Sequence, residues 1–262
     1  MLKKLLKYDL KNMYKFLISF YVLAIFFGLT TRLFFNFEQT AMISIIGQIS
    51  VGCMFAMIAN ILINNLMRCW IRFSETIYKD ESYLTHTLPI SKSELYSSKF
   101  LTAFITLITS FIVIILTLVI AYYSKENFIM LKQFVNNISG IYDVNSIMLI
   151  FSLILILFLE LINALQSGYL GMILGYKKNN NQTIYSVLFG FIVYLLSQFF
   201  ILIVIYLIGI FNSDIMLLFT SNELDSNLVK MLIPLSITIY TLICIIMYSI
   251  ALKKSKEGVN VI

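Results

Sequence analysis

Hydrophobic residues along this chain fall into long unbroken runs rather than into short alternating stretches. Six runs stand out, at residues 16–35, 41–66, 100–123, 147–175, 184–211 and 231–252. A bilayer core about 30 Å thick is crossed by about 20 apolar residues in an α-helix. A spanning β-barrel would instead read as short segments of alternating character. The pattern therefore predicts six transmembrane helices, the longer ones tilted or continuing as helix beyond the lipid.

The polar stretches between the runs carry their own periodicity. In the N-terminal tail Leu2, Leu5, Leu6, Leu10, Met13 and Leu17 share one broad helical face, and Lys3, Lys4, Lys7, Lys11 and Lys15 share the other. That pattern predicts an amphipathic helix lying in the headgroup plane. Asp9 interrupts its apolar face, which suggests a protein partner there. Residues 67–99 form the longest hydrophilic link, too short for an independent core. Within it residues 74–88 (SETIYKDESYLTHTL) predict a short helix with Ile77, Glu81, Leu84 and Leu88 on one side. Pro89 ends that helix, and Ser91 with Glu94 three residues on makes a capping box that starts the next one. Residues 124–146 and 212–230 are apolar enough to predict short helices at the outer surface of the bilayer. No internal repeat is evident.

Composition agrees with the pattern. Hydrophobic residues make up 60% of the 262, and charged residues 12%, about half the charge of a soluble domain. That excludes a secreted enzyme, a cytosolic enzyme and a disordered chain. All but four of the 19 Lys and Arg (Arg32, Lys125, Lys132 and Lys230) fall in the N-terminal tail, the 67–99 link, the link after span four and the C-terminal tail. The positive-inside bias then places both termini in the cytoplasm. Basic residues spread over four segments mark topology and are no nucleic-acid surface. Cys53, Cys69 and Cys244 lie in or beside spans and imply no disulfide framework.

Chemistry-bearing motifs are few. The phosphate-binding loop G-x-x-x-x-G-K-[ST] is absent. The single histidine, His86, cannot make a two-histidine zinc site and reads as solvated or partner-facing. Glu160 is the only acid deep in a span. With Asn163, Ser167, Gly171 and Gly175 it draws a stripe down span four. Buried ionisable groups usually face the bundle interior, so Glu160, Asn163 and Gly171 are candidates for a transport pathway or for helix packing. Asn60, Asn64 and Gln198 read as interhelical hydrogen-bond donors. An intramembrane enzyme would require a catalytic pair at one depth, and only Glu160 with nearby amides is available.

Residues 80–100 (DESYLTHTLPISKSELYSSKF) resemble the cytoplasmic loop of ABC-2-type permeases, the membrane subunits of bacterial ABC exporters. The Glu-x-x-Leu-x-x-x-Leu-Pro-x-Ser pattern at Glu81, Leu84, Leu88, Pro89 and Ser91 carries the likeness, and the six-span plan extends it over the chain. The resemblance implies an all-α integral membrane protein: six transmembrane helices, an N-terminal amphipathic interfacial helix, a cytoplasmic coupling helix and short outer helices, forming one permease domain over residues 1–262. It implies a second permease copy and a separate cytoplasmic ABC ATPase that holds ATP and Mg, with no cofactor in this chain. Ile77, Tyr78, Asp80, Glu81, Tyr83 and Leu84 would be the docking residues. The mostly apolar spans favour a hydrophobic or amphipathic cargo. Among relatives of similar size the resemblance is to exporters of antimicrobial or cytolytic peptides, of the phenol-soluble-modulin and lantibiotic-immunity types, in a bacterial cell membrane. An ATP-independent membrane protein that binds such peptides for immunity or sensing is the alternative.

Overall fold

With two prolines in the chain, little interrupts the apolar runs once they become helical. In the computed structural model, which describes residues 2–37, 40–79, 81–87, 89–141, 143–220 and 226–257 (backbone only at His86 and Lys125), 91% of the described residues are helical, and there is no strand among them. The helices are α1 (Leu2–Asn36), α2 (Ala41–Ile77), α3 (Ser82–Thr87), α4 (Lys92–Tyr122), α5 (Lys125–Ile141), α6 (Ser146–Gly175), α7 (Gln182–Phe211), α8 (Ser213–Thr220) and α9 (Ser226–Lys256). Six of them, α1, α2, α4, α6, α7 and α9, are long and apolar enough to cross a membrane. The chain forms two compact units, Met1–Ile129 and Met130–Ile262.

In the first unit α1 is the helix on which both α2 and α4 pack. Its buried residues, Asp9, Met13, Leu17, Tyr21, Ala24, Gly28 and Thr31, recur every three or four positions and so make one stripe. Against α2 the stripe runs antiparallel, from the Arg68 Nη2 to Asn12 Oδ1 bond (3.1 Å) to the Thr30–Ser50 hydroxyl pair (2.7 Å). Against α4 it runs parallel, with Asp9 beside Lys99 and Tyr21 beside Ser110. The three helices meet at mid-length: Asn65 Nδ2 donates to Ser110 Oγ (2.8 Å), Thr106 Oγ1 donates to Asn65 Oδ1 (3.1 Å), and the Tyr21 and Ser110 hydroxyls pair at 2.9 Å. Inside lipid such bonds hold helices together where apolar attraction between them is weak.

Beyond α5, which opens it, the second unit follows the element order of the first, long–long–short–long. Here α6 packs antiparallel on α7 and parallel to α9. At one end Lys177 Nζ pairs with Glu257 at 2.8 Å; at the other, Lys230 Nζ pairs with Asp143 at 2.6 Å. Small residues bring α6 and α7 together. A Cβ at Gly171 would overlap the backbone of Gly190, and one at Gly175 would overlap Ser186. α8 folds back on α7, with Phe219 edge-on to Tyr206 at 5.3 Å.

Several sequence expectations change in the structure. The amphipathic N-terminal segment is no separate element: residues 2–36 form one helix, about 52 Å long at 1.5 Å per residue. The lysines at 3, 4, 7, 11 and 15 are exposed, and Asp9 is buried inside the chain, so its partner is internal. The short helix expected over 74–88 is split. Residues 74–77 end α2, because Phe73, Thr76 and Ile77 continue its buried face, and α3 takes up Ser82–Thr87. Asn60 and Asn64 do not bridge helices; their amides donate to Ala56 and Asn60 carbonyls within α2. Asn65, one position further round, lies on the buried face with Ile61 and Cys69 and makes the interhelical bond instead. The capping box is present: Glu94 N donates to Ser91 Oγ (3.2 Å) and Ser91 N donates to Glu94 Oε2 (3.2 Å). The helices expected near the outer surface appear as α5 and α8, and residues 221–225 lie outside the described ones.

Candidate functional site

The first candidate site lies where α1 starts, α2 ends and α4 begins. Asp9, Arg72 and Lys99 are 1%, 3% and 4% exposed. Lys99 Nζ donates to both carboxylate oxygens of Asp9 at 2.8 Å. Arg72 Nε lies 3.5 Å from Asp9 Oδ1, and Arg72 Nη1 donates to Glu81 Oε1 at 2.6 Å. Two cations and two anions thus form a chain Lys99–Asp9–Arg72–Glu81. It links α4, α1 and α2 to the turn just before α3. Glu75 adds a longer contact to Arg72, at 3.7 Å, and the Arg72 guanidinium sits 5.5 Å from the centre of the Tyr8 ring. Charges this deeply buried persist only when they are paired, and each of the three has a counter-charge.

The six residues expected to dock a partner are divided by this arrangement. Tyr83 and Leu84 on α3 are 77% and 68% exposed. Glu81 is half-buried and held by Arg72, and its carbonyl accepts both the backbone N–H and the hydroxyl of Thr85, so it caps α3. Ile77 is buried at the end of α2, and Tyr78 is half-buried with its ring 6.2 Å from that of Phe73. Asp80, Leu88 and the side chain of His86 lie outside the described residues.

A second polar cluster lies at mid-length of α6, in the other unit. Glu160 Oε1 accepts from Tyr194 Oη (2.6 Å) and Gln198 Nε2 (2.9 Å), both on α7. Tyr240 on α9 turns its hydroxyl toward the same carboxyl and toward Gln198, and Cys244 one turn on is a further neighbour. Asn163 Nδ2 donates to Ser197 Oγ at 3.0 Å. The stripe of Glu160, Asn163, Ser167, Gly171 and Gly175 thus meets α7 at several points along its length, with polar contacts at one end and glycine contacts at the other. Gln198 is a donor between helices, as its sequence position suggests.

Sequence reasoning singled out neither Arg72 nor Lys99 as site residues, because cations beside a span read as topology markers. It also passed over Tyr194 and Ser197. Their signal is the spacing: Tyr194, Ser197 and Gln198 fall at i, i+3 and i+4 in an otherwise apolar run, one polar face of a helix.

Among the described residues no three His, Cys, Asp or Glu side chains gather closely enough to hold a metal ion. The fold defines the chain's class: an all-α protein with six helices suited to crossing a membrane. No family model, curated protein or solved structure matches it.

Proposed function

We propose that this chain is the membrane-spanning permease subunit of an ATP-driven bacterial exporter. It works as a pair of copies in the cell membrane, with both termini in the cytoplasm. Each copy couples to a separate cytoplasmic ATPase, which binds ATP and Mg. The cargo is a hydrophobic or amphipathic molecule, an antimicrobial or cytolytic peptide in the first instance.

One observation carries the reading. An exposed aromatic–aliphatic pair, Tyr83 and Leu84, sits on a six-residue helix that is anchored through Glu81–Arg72 to a buried ion pair between spanning helices. Such a helix is too short to be stable alone and presents apolar side chains to whatever covers it. An anchored apolar knob suits a lever: a force applied at α3 passes through Arg72 to Asp9 and Lys99, and so to α1 and α4. The docking surface is accordingly Tyr83 and Leu84 with the Glu81 rim. Ile77 and Tyr78 support it from beneath.

Purification of the tagged chain from its host in mild detergent, followed by mass spectrometry of what accompanies it, tests the reading. An ATPase at about equal amount supports it, and its loss on Tyr83→Ala/Leu84→Ala identifies the surface. A chain that returns without an ATPase, while still binding amphipathic peptide, would instead make it an ATP-independent immunity or sensor protein.

A further inference from the structure

The Glu160 cluster has a charge imbalance that its own unit does not correct. Glu160 lies 14 residues from the start of α6 and 15 from its end, about 21 Å from either. α7 carries no charged residue. The cations of this unit (Lys132, Lys177, Lys178, Lys230, Lys253, Lys254 and Lys256) lie outside these mid-helix segments. On α6's own axis Lys177 is 17 residues on, about 25 Å. Among the described residues the titratable side chains facing the carboxyl are Tyr194 from α7 with Tyr240 and Cys244 from α9, and none of these is basic.

The hydrogen bonding is equally lopsided. Glu160 Oε1 has its two donors, whereas Glu160 Oε2 is buried and makes no hydrogen bond, with the Tyr240 hydroxyl the further polar group turned toward the carboxyl. One turn along α6, Asn163 is fully buried and its Oδ1 also lacks a donor. The orientation of that amide is forced. Ser197 has one hydroxyl proton and gives it to the Tyr194 carbonyl at 2.7 Å, so Ser197 Oγ can only accept, and Asn163 must present its amino group there. Its carbonyl is left facing away. Gln166, three residues further and 1% exposed, has both polar atoms unpartnered. Buried polar atoms are almost always satisfied, and the two at the carboxyl end that make no hydrogen bond, Glu160 Oε2 and Asn163 Oδ1, are both acceptors.

We propose that Glu160 Oε2 and Asn163 Oδ1, on successive turns of α6, form a binding site for one monovalent alkali cation such as Na+. Hard cations take carboxylate and carbonyl oxygens, and residues at i and i+3 lie on neighbouring positions of one helix face. A single charge neutralises the single carboxylate; a divalent ion would leave net charge inside the bilayer. Tyr194 and Gln198 fix the carboxyl by its other oxygen, and Ser197 fixes the amide, so both ligands are pre-oriented. This site is independent of the ATPase reading.

The test is equilibrium binding of radiolabelled Na+ to the purified full-length protein in detergent, against choline as the inert cation. The expected result is saturable binding of about one Na+ per chain, abolished in Glu160→Gln and weakened at least about tenfold in Asn163→Leu, with Tyr83→Ala binding as wild type. Because a variant can fail to fold, a second readout uses the wild type alone. Na+ is expected to slow the labelling of Glu160 by a hydrophobic carbodiimide, followed by peptide mass spectrometry. Absence of saturable Na+ or K+ binding overturns the proposal and leaves the carboxyl to a proton or a bridging water. Binding retained in Glu160→Gln, or carbodiimide labelling indifferent to Na+, overturns it too.

Discussion

Lys99 Nζ donates to both carboxylate oxygens of Asp9 at 2.8 Å across 90 residues of chain, and both side chains are almost wholly buried. This pair joins α1 to α4 in parallel and explains the one acidic residue on the otherwise apolar face of the N-terminal segment. Removing one partner of a buried pair costs about 3–5 kcal/mol, because the other charge stays behind. Asp9→Ala strands Lys99 and leaves Arg72 only Glu81 and Glu75, whereas Lys99→Met leaves Asp9 with Arg72 at 3.5 Å. We therefore expect Asp9→Ala to lower thermal stability in detergent more than Lys99→Met. A double variant should lose less than the sum of the two. Equal losses, or full additivity, would argue against the chain of charges.

Burial separates two kinds of residue in the segment around α3. Ile77→Ala removes a buried side chain at the end of α2 and is expected to cost about 2–5 kcal/mol of stability. Tyr83→Ala and Leu84→Ala, at exposed positions, are expected to leave the melting temperature within about a degree or two, since surface changes usually stay within about 0.5 kcal/mol. On the proposed function only these two abolish co-purification of the ATPase. The comparison needs both readouts on the same preparations.

The α6–α7 contact makes an asymmetric prediction about two glycines that touch. A methyl at Gly171 meets the Gly190 backbone and the Ser186 carbonyl, with no flexible atom to yield. A methyl at Gly190 meets its nearest atom, the Cα of Gly168, at 3.5 Å, an ordinary contact. Gly171→Ala should therefore destabilise by about 1–3 kcal/mol, the usual cost of overpacking, while Gly190→Ala stays near neutral. Melting curves of the two single variants decide it; a reversed order would refute the packing.

The C-terminal end of α9 should respond to acid. Hydrogen bonds from Lys177 and Lys254 hold the Glu257 carboxyl down to about 2, from an ordinary value of 4.5. A carboxyl lowered on folding contributes stability that is complete above its unfolded value and disappears as pH falls through its folded one. The Lys177–Glu257 tie should therefore hold at pH 5 and be lost progressively between about 4.5 and 2. Hydrogen exchange of the last turn of α9 measures it, and Glu257→Gln should remove the pH dependence in that window. Lys230 lowers the Asp143 carboxyl in the same direction at the other end of the unit. Being exposed, both ties should also weaken as salt is raised.

Much of the fold is legible in the chain because burial in lipid imposes a simple period. Span-length apolar runs, a capping box at Ser91 and Glu94, and apolar helices at 125–141 and 213–220 all follow from local sequence. Helix ends are less legible. α2 continues about ten residues past its apolar run because Arg72 and Phe73 are buried against other elements, and hydropathy scores an arginine as an end. In the Glu160 cluster the residue types were legible and the partners were not, and the same holds on α2, where which of Asn60, Asn64 and Asn65 bridges helices depends on a rotation of 100° per residue about the helix axis. Only Asn65 faces α4.

The sequence by itself determined that this is a helical chain with six segments long and apolar enough to cross a membrane, and with charge concentrated at their ends. Those properties depend on transfer from water to hydrocarbon, which each segment undergoes independently of the others. Only the tertiary structure decided that the six fall into two units of the same element order beyond α5 and that Asp9 finds Lys99 and Arg72. It alone decided that Glu81 is held while Tyr83 and Leu84 are free to contact a partner, and that Glu160 and Asn163 each keep one oxygen without a hydrogen bond. Hydrogen bonds and ion pairs are short-ranged and directional, so they depend on register and rotation between helices, which no run of apolar residues specifies.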